Sequence, residues 1–136
     1  AEADEWFARA GSPSNMSVFP LHKELGMFYS EADLHLQLSK PSMAVETFGM
    51  TIVEAMQYGV PSVVPCVGGP AEIVRVTGCG IACDTENVEI LERSIRSLLA
   101  DPIAYRVQSE RCLSEVRRFS LENMQKQLID IIDEQF

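Results

Sequence analysis

Basic residues are scarce in this chain: 11 lysines and arginines stand against 20 acids, a net charge of −9. With no basic stripe and no interleaved aromatics, the composition argues against a surface for nucleic acid or anionic lipid. Cys66, Cys79, Cys83 and Cys112 form no CxxC pair, and His22 and His35 stand isolated rather than at ligand spacing. No DxD-like acidic pair occurs, so neither a metal nor a redox centre is expected. The four cysteines are expected to be free buried thiols in a reducing cytoplasm, Cys79 and Cys83 being the two that could lie close in space. No apolar run reaches transmembrane length, nothing at the N-terminus resembles a signal peptide, and repeats and low-complexity tracts are absent. What is present is 136 residues, 46% of them hydrophobic, enough for a single core.

Helical and extended patterns alternate along it. A first helix is expected over Asp4 to Ala10, ending at the turn-rich Gly11 to Asn15, followed by a short strand around Met16 to Phe19. A helix over Leu21 to Glu31 leads to a strand over Leu34 to Leu38, in which Leu34, Leu36 and Leu38 face one way and His35 and Gln37 the other. A helix over Thr51 to Tyr58 precedes the strand Ser62 to Pro65, whose Val63 and Val64 predict burial on both faces. A short helix over Ala71 to Val76 and a strand at Gly80 to Cys83 follow. The rest reads as helical: Asn87 to Ala100, amphipathic and ended by Asp101-Pro102; Ile103 to Arg118; and a last helix capped by Ser120. The stripe Met124, Leu128, Ile131 and Ile132 on that last helix reads as core, because its polar side carries Glu122, Asp130 and Asp133 rather than lysines. Four strands separated by helices make an α/β fold, a partial doubly wound, Rossmann-like and mostly parallel sheet.

The most informative segment joins two acids across a loop-to-helix turn. Glu54 falls in an early turn of the helix whose wall is Ile52, Val53, Ala55 and Met56, and Glu46 falls in the loop before it. Unpaired N–H groups near Gly49, Met50 and Thr51 would bind a phosphate at the helix N-terminus, and glycine at 49 lets backbone approach the anion. Carboxylates accept paired hydrogen bonds from vicinal hydroxyls. A ligand with hydroxyls at both ends and phosphate between them fits, and a sugar joined through diphosphate to ribose has that order. Taken singly, Glu54 reads more readily as a solvated or capping residue favoured by the helix dipole than as a ligand contact, and Glu72 as a first-turn acid after Pro70.

The run Glu46-Thr47-Phe48-Gly49-Met50-Thr51-Ile52-Val53-Glu54-Ala55-Met56, then Gly59-Val60-Pro61, then Gly68-Gly69-Pro70-Ala71-Glu72-Ile73-Val74, resembles the signature of retaining GT-B glycosyltransferases of family four. Tyr29 to Asp33 and Phe119 to Glu122 extend the resemblance over nearly the whole chain. It implies the C-terminal, nucleotide-sugar-binding domain of an enzyme that moves a sugar from a nucleotide diphosphate with retained configuration, to a glycan, lipid or other acceptor, in polysaccharide, glycolipid or glycoconjugate synthesis. Carried over, Glu46 contacts hydroxyls of the donor sugar and is the catalytic residue; Glu54 contacts the ribose; Phe48, Gly49, Met50 and Thr51 line sugar and phosphates; Gly68 and Gly69 let the chain pass close to the ligand. The resemblance implies no metal and no cofactor beyond the nucleotide sugar itself, and a leaving diphosphate that helps deprotonate the acceptor, so that stabilising its charge is the main catalytic effect.

The same resemblance makes the chain a partial domain, lacking the first strands and the N-terminal acceptor domain of a cytoplasmic parent, peripheral to the inner membrane face if attached at all. The family's basic pair for the diphosphate lies in that absent stretch, so the piece alone is expected to be inactive and to bind donor weakly if at all; in the family the last helix packs back toward the other domain, so part of its apolar face is expected to lie bare, and an exposed surface could pair two copies. The gap in the doubly wound order would fall between the strand near Val18 and that at Leu34 to Leu38. Ser39-Lys40-Pro41-Ser42-Met43-Ala44-Val45 departs from the family's Pro-Ser spacing by at least one residue, leaving Lys40 open between a phosphate contact and a solvated side chain. A non-catalytic nucleotide-sugar module and a docking domain are the alternatives; intact Glu46 and Glu54 disfavour the second. An isomerase on the same fold is disfavoured by the Phe-Gly-Met and Gly-Gly-Pro blocks.

Overall fold

The computed structural model describes residues 2–9, 11, 13–19 and 24–135. Three short parallel strands, β1 (His35–Leu36), β2 (Ser62–Pro65) and β3 (Gly80–Cys83), lie in the order β1-β2-β3, with Ser62 opposite both His35 and Gly80. Helices separate them: α1 (Glu2–Arg9) and α2 (Gly26–Glu31) come first, α3 (Met50–Gln57) and α4 (Gly68–Thr77) are the crossovers, and α5 (Val88–Leu99), α6 (Pro102–Glu115), a 3₁₀ turn (Val116–Phe119) and α7 (Leu121–Gln135) follow.

The core sits on both faces of β2 because its side chains alternate. Val64 packs with Ile52, Val53, Met56, Ile73, Val74, Cys79 and Cys112 on one side; Val63 packs with Cys83 and Leu98 on the other, closed by Leu34, Ile81, Leu91 and Ile95. Both valines are fully buried, as a central parallel strand requires. The helices beyond it begin where short polar side chains cap them. Asn87 accepts from Glu89 and Ile90 N–H at 3.1 and 3.2 Å, Asp101 from Ile103 and Ala104 at 2.9 and 3.2 Å, and Ser120 from Asn123 at 3.2 Å.

Several expectations are corrected. Met16 to Phe19 forms no strand, since among the described residues no strand lies alongside to complete its ladder, and the sheet has three strands rather than four. The helix expected from Leu21 starts at Gly26, where the Tyr58 ring leaves no room for a Cβ, while residues 21–23 lie outside the described residues, as does Ala10 at the end of the first helix. β1 is an edge strand of two residues, His35–Leu36, rather than Leu34 to Leu38; Leu36 and Leu38 are exposed, while His35 and Gln37 on the other face are half-buried. The α4 helix opens at Gly68 rather than Ala71, because Gly69 N–H already has an acceptor in Glu46 C=O at 3.0 Å and Pro70 needs none in a first turn. The last turn before Ser120 tightens to 3₁₀ from Val116.

The stripe on α7 is not core in this chain. Met124, Leu128, Ile131 and Ile132 are each about half exposed, for the helix meets the body mainly through the 3₁₀ turn at its start. Cys66 is exposed, unlike the other three cysteines, and the neighbour of Cys79 is Cys112, not Cys83, which lies across the sheet. The Cys112 thiol hydrogen-bonds Cys79 sulfur, which lowers the Cys79 thiol to about 7 and raises that of Cys112.

Candidate functional site

The α3 helix starts where only glycine fits. Gly49 sits at φ 102° in the left-handed region, and a Cβ there would lie 2.9 Å from Ile52 Cδ1, 3.4 Å from Pro70 Cγ and 3.5 Å from Gln37 Oε1. The first helical bond runs from Ile52 N–H to Gly49 C=O at 3.1 Å, so the N–H groups of Met50 and Thr51 have no acceptor within the helix. No acid occupies the first turn, and the positive end of the helix is left uncompensated. That end opens on a cavity of about 510 Å³ walled by His35 and Leu36 of β1, by Gln37 and Leu38 directly after it, and by Glu46, Phe48, Gly49, Met50 and Thr51. Five of the eight residues predicted for the site thus meet in one place.

Glu46 is exposed on the 37–49 loop, with one carboxylate oxygen 3.4 Å from its own Phe48 N–H. Its backbone is pinned. Besides the bond from Gly69, the loop lies so close on α4 that a Cβ on Gly68 would come 2.4 Å from Glu46 C=O, and one on Gly69 2.2 Å from Thr47 C=O. Gly68 and Gly69 do not line the cavity; the close approach they permit is of the Glu46 loop to α4. Phe48 turns its ring edge-on to Phe119, centroids 6.2 Å apart. Lys40 shares a second hollow, of about 300 Å³, with Glu46, and its carbonyl closes the turn to Met43 and Ala44.

Glu54 stands apart from these, farther along α3 in a neighbouring hollow of about 210 Å³ with Tyr29 and Tyr58. Tyr29 donates its O–H to Glu54 Oε2 at 3.1 Å, stacks on Tyr58 and meets His35 edge-on. Burial, and then the hydrogen bond to Glu54 and its charge, push the Tyr29 phenol up to about 12, so at neutral pH it is a fixed donor. One carboxylate oxygen of Glu54 is thereby held. Tyr29, His35 and Gln37 stand at the candidate site although spacing did not single them out; Tyr29 lies 25 residues from Glu54, and no local pattern signals the pair.

His35 places Nδ1 3.0 Å from the hydroxyl of the fully buried Ser62, whereas Gln37 Oε1 is buried without a partner among the described residues. Burial holds the His35 imidazole below its usual 6.5, the Glu54 charge opposing this only in part. The unfolded chain therefore takes up a proton at higher pH than the folded one: stability is full above about 6.5 and falls as pH drops through the folded value. Thermal melts at about pH 7.5 and about pH 5.5 should show a larger loss of Tm for the native chain than for His35→Asn. Equal losses would remove His35 from the acid sensitivity.

A larger hollow of about 820 Å³ runs along α5, but its walls are Val88, Leu91, Ile95 and Leu99 with the Glu92–Arg96 ion pair, and none of the predicted residues reaches it.

A parallel α/β layer, with an uncompensated helix N-terminus and a carboxylate around one cavity, makes a Rossmann-like domain. Its family follows from comparison: residues 11–114 match Glycosyl transferases group 1, and the chain belongs to that family. Among curated proteins it is 32% identical over 116 residues to the D-inositol 3-phosphate glycosyltransferase of Segniliparus rotundus, covering 84% of this chain and 25% of that protein. It is 37% identical over 82 residues to probable sucrose-phosphate synthase 5 of Oryza sativa subsp. japonica, covering 60% of this chain and 7% of that protein. Two solved structures share the fold: HepE of Anabaena in complex with UDP, with TM-score 0.81, 22% identity and coverage of 98% of this chain and 36% of that one; and the sucrose-phosphate synthase of Thermosynechococcus elongatus, with TM-score 0.78, 23% identity and coverage of 99% and 34%. The chain thus spans a small part of the curated relatives and about a third of the solved chains.

Proposed function

We propose that this chain is the donor-binding part of a retaining glycosyltransferase of family four, which passes a sugar from a nucleoside diphosphate to a glycan, lipid or other acceptor. The observation that carries the reading is the meeting of Glu46 with the N–H groups of Met50 and Thr51, which have no acceptor among the described residues, around one cavity. In this arrangement the α3 N-terminus takes the diphosphate, and its partial positive charge favours the leaving group as negative charge grows on it. Glu46 accepts from hydroxyls of the sugar, and Glu54, held by Tyr29, accepts from the ribose. No metal is called for in this reading.

Uridine nucleotides are the first to try, HepE having been solved with UDP. The chain has few cations, so affinity is expected to be low, with Kd on the order of 1 mM, about −4 kcal/mol. Amide shifts in a ¹⁵N-labelled chain, titrated with nucleoside diphosphates and their sugars, should move first at Gly49, Met50 and Thr51. Glu54→Ala should weaken all of them about tenfold, the effect of losing charge-assisted hydrogen bonds. Glu46→Ala should instead erase the preference for the sugar form. If no nucleotide shifts those amides in the folded chain, the domain is a docking module and the transferase reading fails.

A further inference from the structure

The loop that carries Glu46 runs from Gln37 to Gly49 with no regular structure, so where its carboxylate stands depends on where the loop is tied. One tie, Gly69 N–H to Glu46 C=O, is described above. The others come from a part of the chain more than 40 residues away in sequence. Glu86 accepts from Ser42 twice, from the backbone N–H at 3.2 Å and from the hydroxyl at 2.5 Å, and Thr85 donates its hydroxyl to Ser39 C=O at 3.3 Å.

The segment that supplies these groups is itself anchored at both ends. Glu86 N–H is bound by Asp84 Oδ1 at 3.1 Å directly after β3, and the next residue, Asn87, caps α5 through two bonds. The loop is held at Glu46 by the Gly69 tie, and ahead of it by its own turn, Met43 and Ala44 N–H onto Lys40 C=O. Ser42 is four residues before Glu46 and lies in the stretch that carries the insertion noted in the sequence. Two charge-assisted hydrogen bonds from this braced segment add a second anchor to the loop, at Ser42, four residues ahead of the Gly69 tie.

We propose that Glu86 is a positioning residue for Glu46, holding the 39–46 loop so that the Glu46 carboxylate stands at the mouth of the cavity. The link to sugar recognition rests on the function proposed above; the anchoring itself does not.

Amide exchange and binding together decide it. In Glu86→Ala, Ser42 N–H should exchange about tenfold faster, the loss of one charged acceptor, and signals from 42–46 should broaden while those of β2 and α3 stay unchanged. Glu86→Gln, which keeps an acceptor oxygen, should restore most of the protection. With UDP and UDP-glucose as probes, Glu86→Ala should bind UDP within about twofold of the native chain yet lose about threefold or more of any preference for UDP-glucose, with Glu86→Gln intermediate. Unchanged exchange at Ser42 overturns the anchoring. A loosened loop with undiminished sugar preference overturns the link to Glu46. If neither nucleotide binds the native chain, the functional reading has failed, and the exchange at Ser42 still decides the anchoring.

Discussion

Gly69→Ala should lower stability by about 2–4 kcal/mol and cut nucleotide binding at least about tenfold. Two effects compete at this position. Gly69 lies within the first turn of α4, where alanine is the better helix former by roughly 0.5–1 kcal/mol, so propensity alone predicts a stabilised protein. Contact geometry decides otherwise. The new methyl would stand 2.2 Å from Thr47 O and 2.6 Å from both Thr47 C and Phe48 Cα, all backbone atoms that no rotamer change can move. Relief requires the 46–48 loop to lift from α4, which breaks the Gly69 N–H to Glu46 C=O bond and carries Glu46 and Phe48 away from the α3 N-terminus. Urea unfolding and the nucleotide titration on one sample check both halves. A variant more stable than the native chain, with native binding, would show that propensity wins and that the loop does not rest on α4 as described.

The parts of this fold that can be read along the chain are those whose cause is local. β2 and β3 begin and end where the alternation of Val63 and Val64 and the run Gly80 to Cys83 place them, because a buried parallel strand writes its burial into consecutive residues. Asn87 and Ser120 mark helix starts through their own side chains, and Asp101, read as the end of α5, turns out to cap α6 as well. The Glu46 to Thr51 cluster was legible for a similar reason: a loop acid, a glycine that must be left-handed and the helix it opens are contiguous.

What could not be read is tertiary. Met16, Val18 and Phe19 have strand-like composition, but strand formation depends on a neighbour, and Phe19 instead packs edge-on against Phe28. In β1 the alternation of leucines with His35 and Gln37 gave the two faces correctly but not which face is inward; Ser62 and Gly49, distant in sequence, settle that. The same holds for Tyr29 with Glu54, Cys79 with Cys112 and Ser42 with Glu86. Each pair is separated by 25 residues or more, beyond the reach of any periodicity.

Gly80→Ala should be the most damaging single change in the sheet. Gly80 is paired with Ser62 in the parallel ladder and sits at φ 140°, a region that residues with a Cβ rarely enter. A Cβ would fall 1.9 Å from Ser62 O and 2.8 Å from Ser62 N and C, so strand β3 would have to separate from β2 at its first residue. The damage spreads from there in two directions. Ser62 N–H takes its acceptor from Cys79 C=O at 3.1 Å, and Ser62 Oγ is the partner of His35, so both neighbours of β2 lose register together. A cost of about 3–5 kcal/mol is expected, against a total of about 5–15 kcal/mol for a domain of this kind, enough to leave a substantial unfolded fraction. Binding should fail with it, because β1 forms one wall of the cavity and is held to the body through β2 alone within the sheet. Exchange rates of the Val63 and Val64 amides, read beside the urea midpoint, separate local opening of β3 from global loss. A native midpoint with native protection at both valines would mean that the two strands do not approach this closely at Gly80.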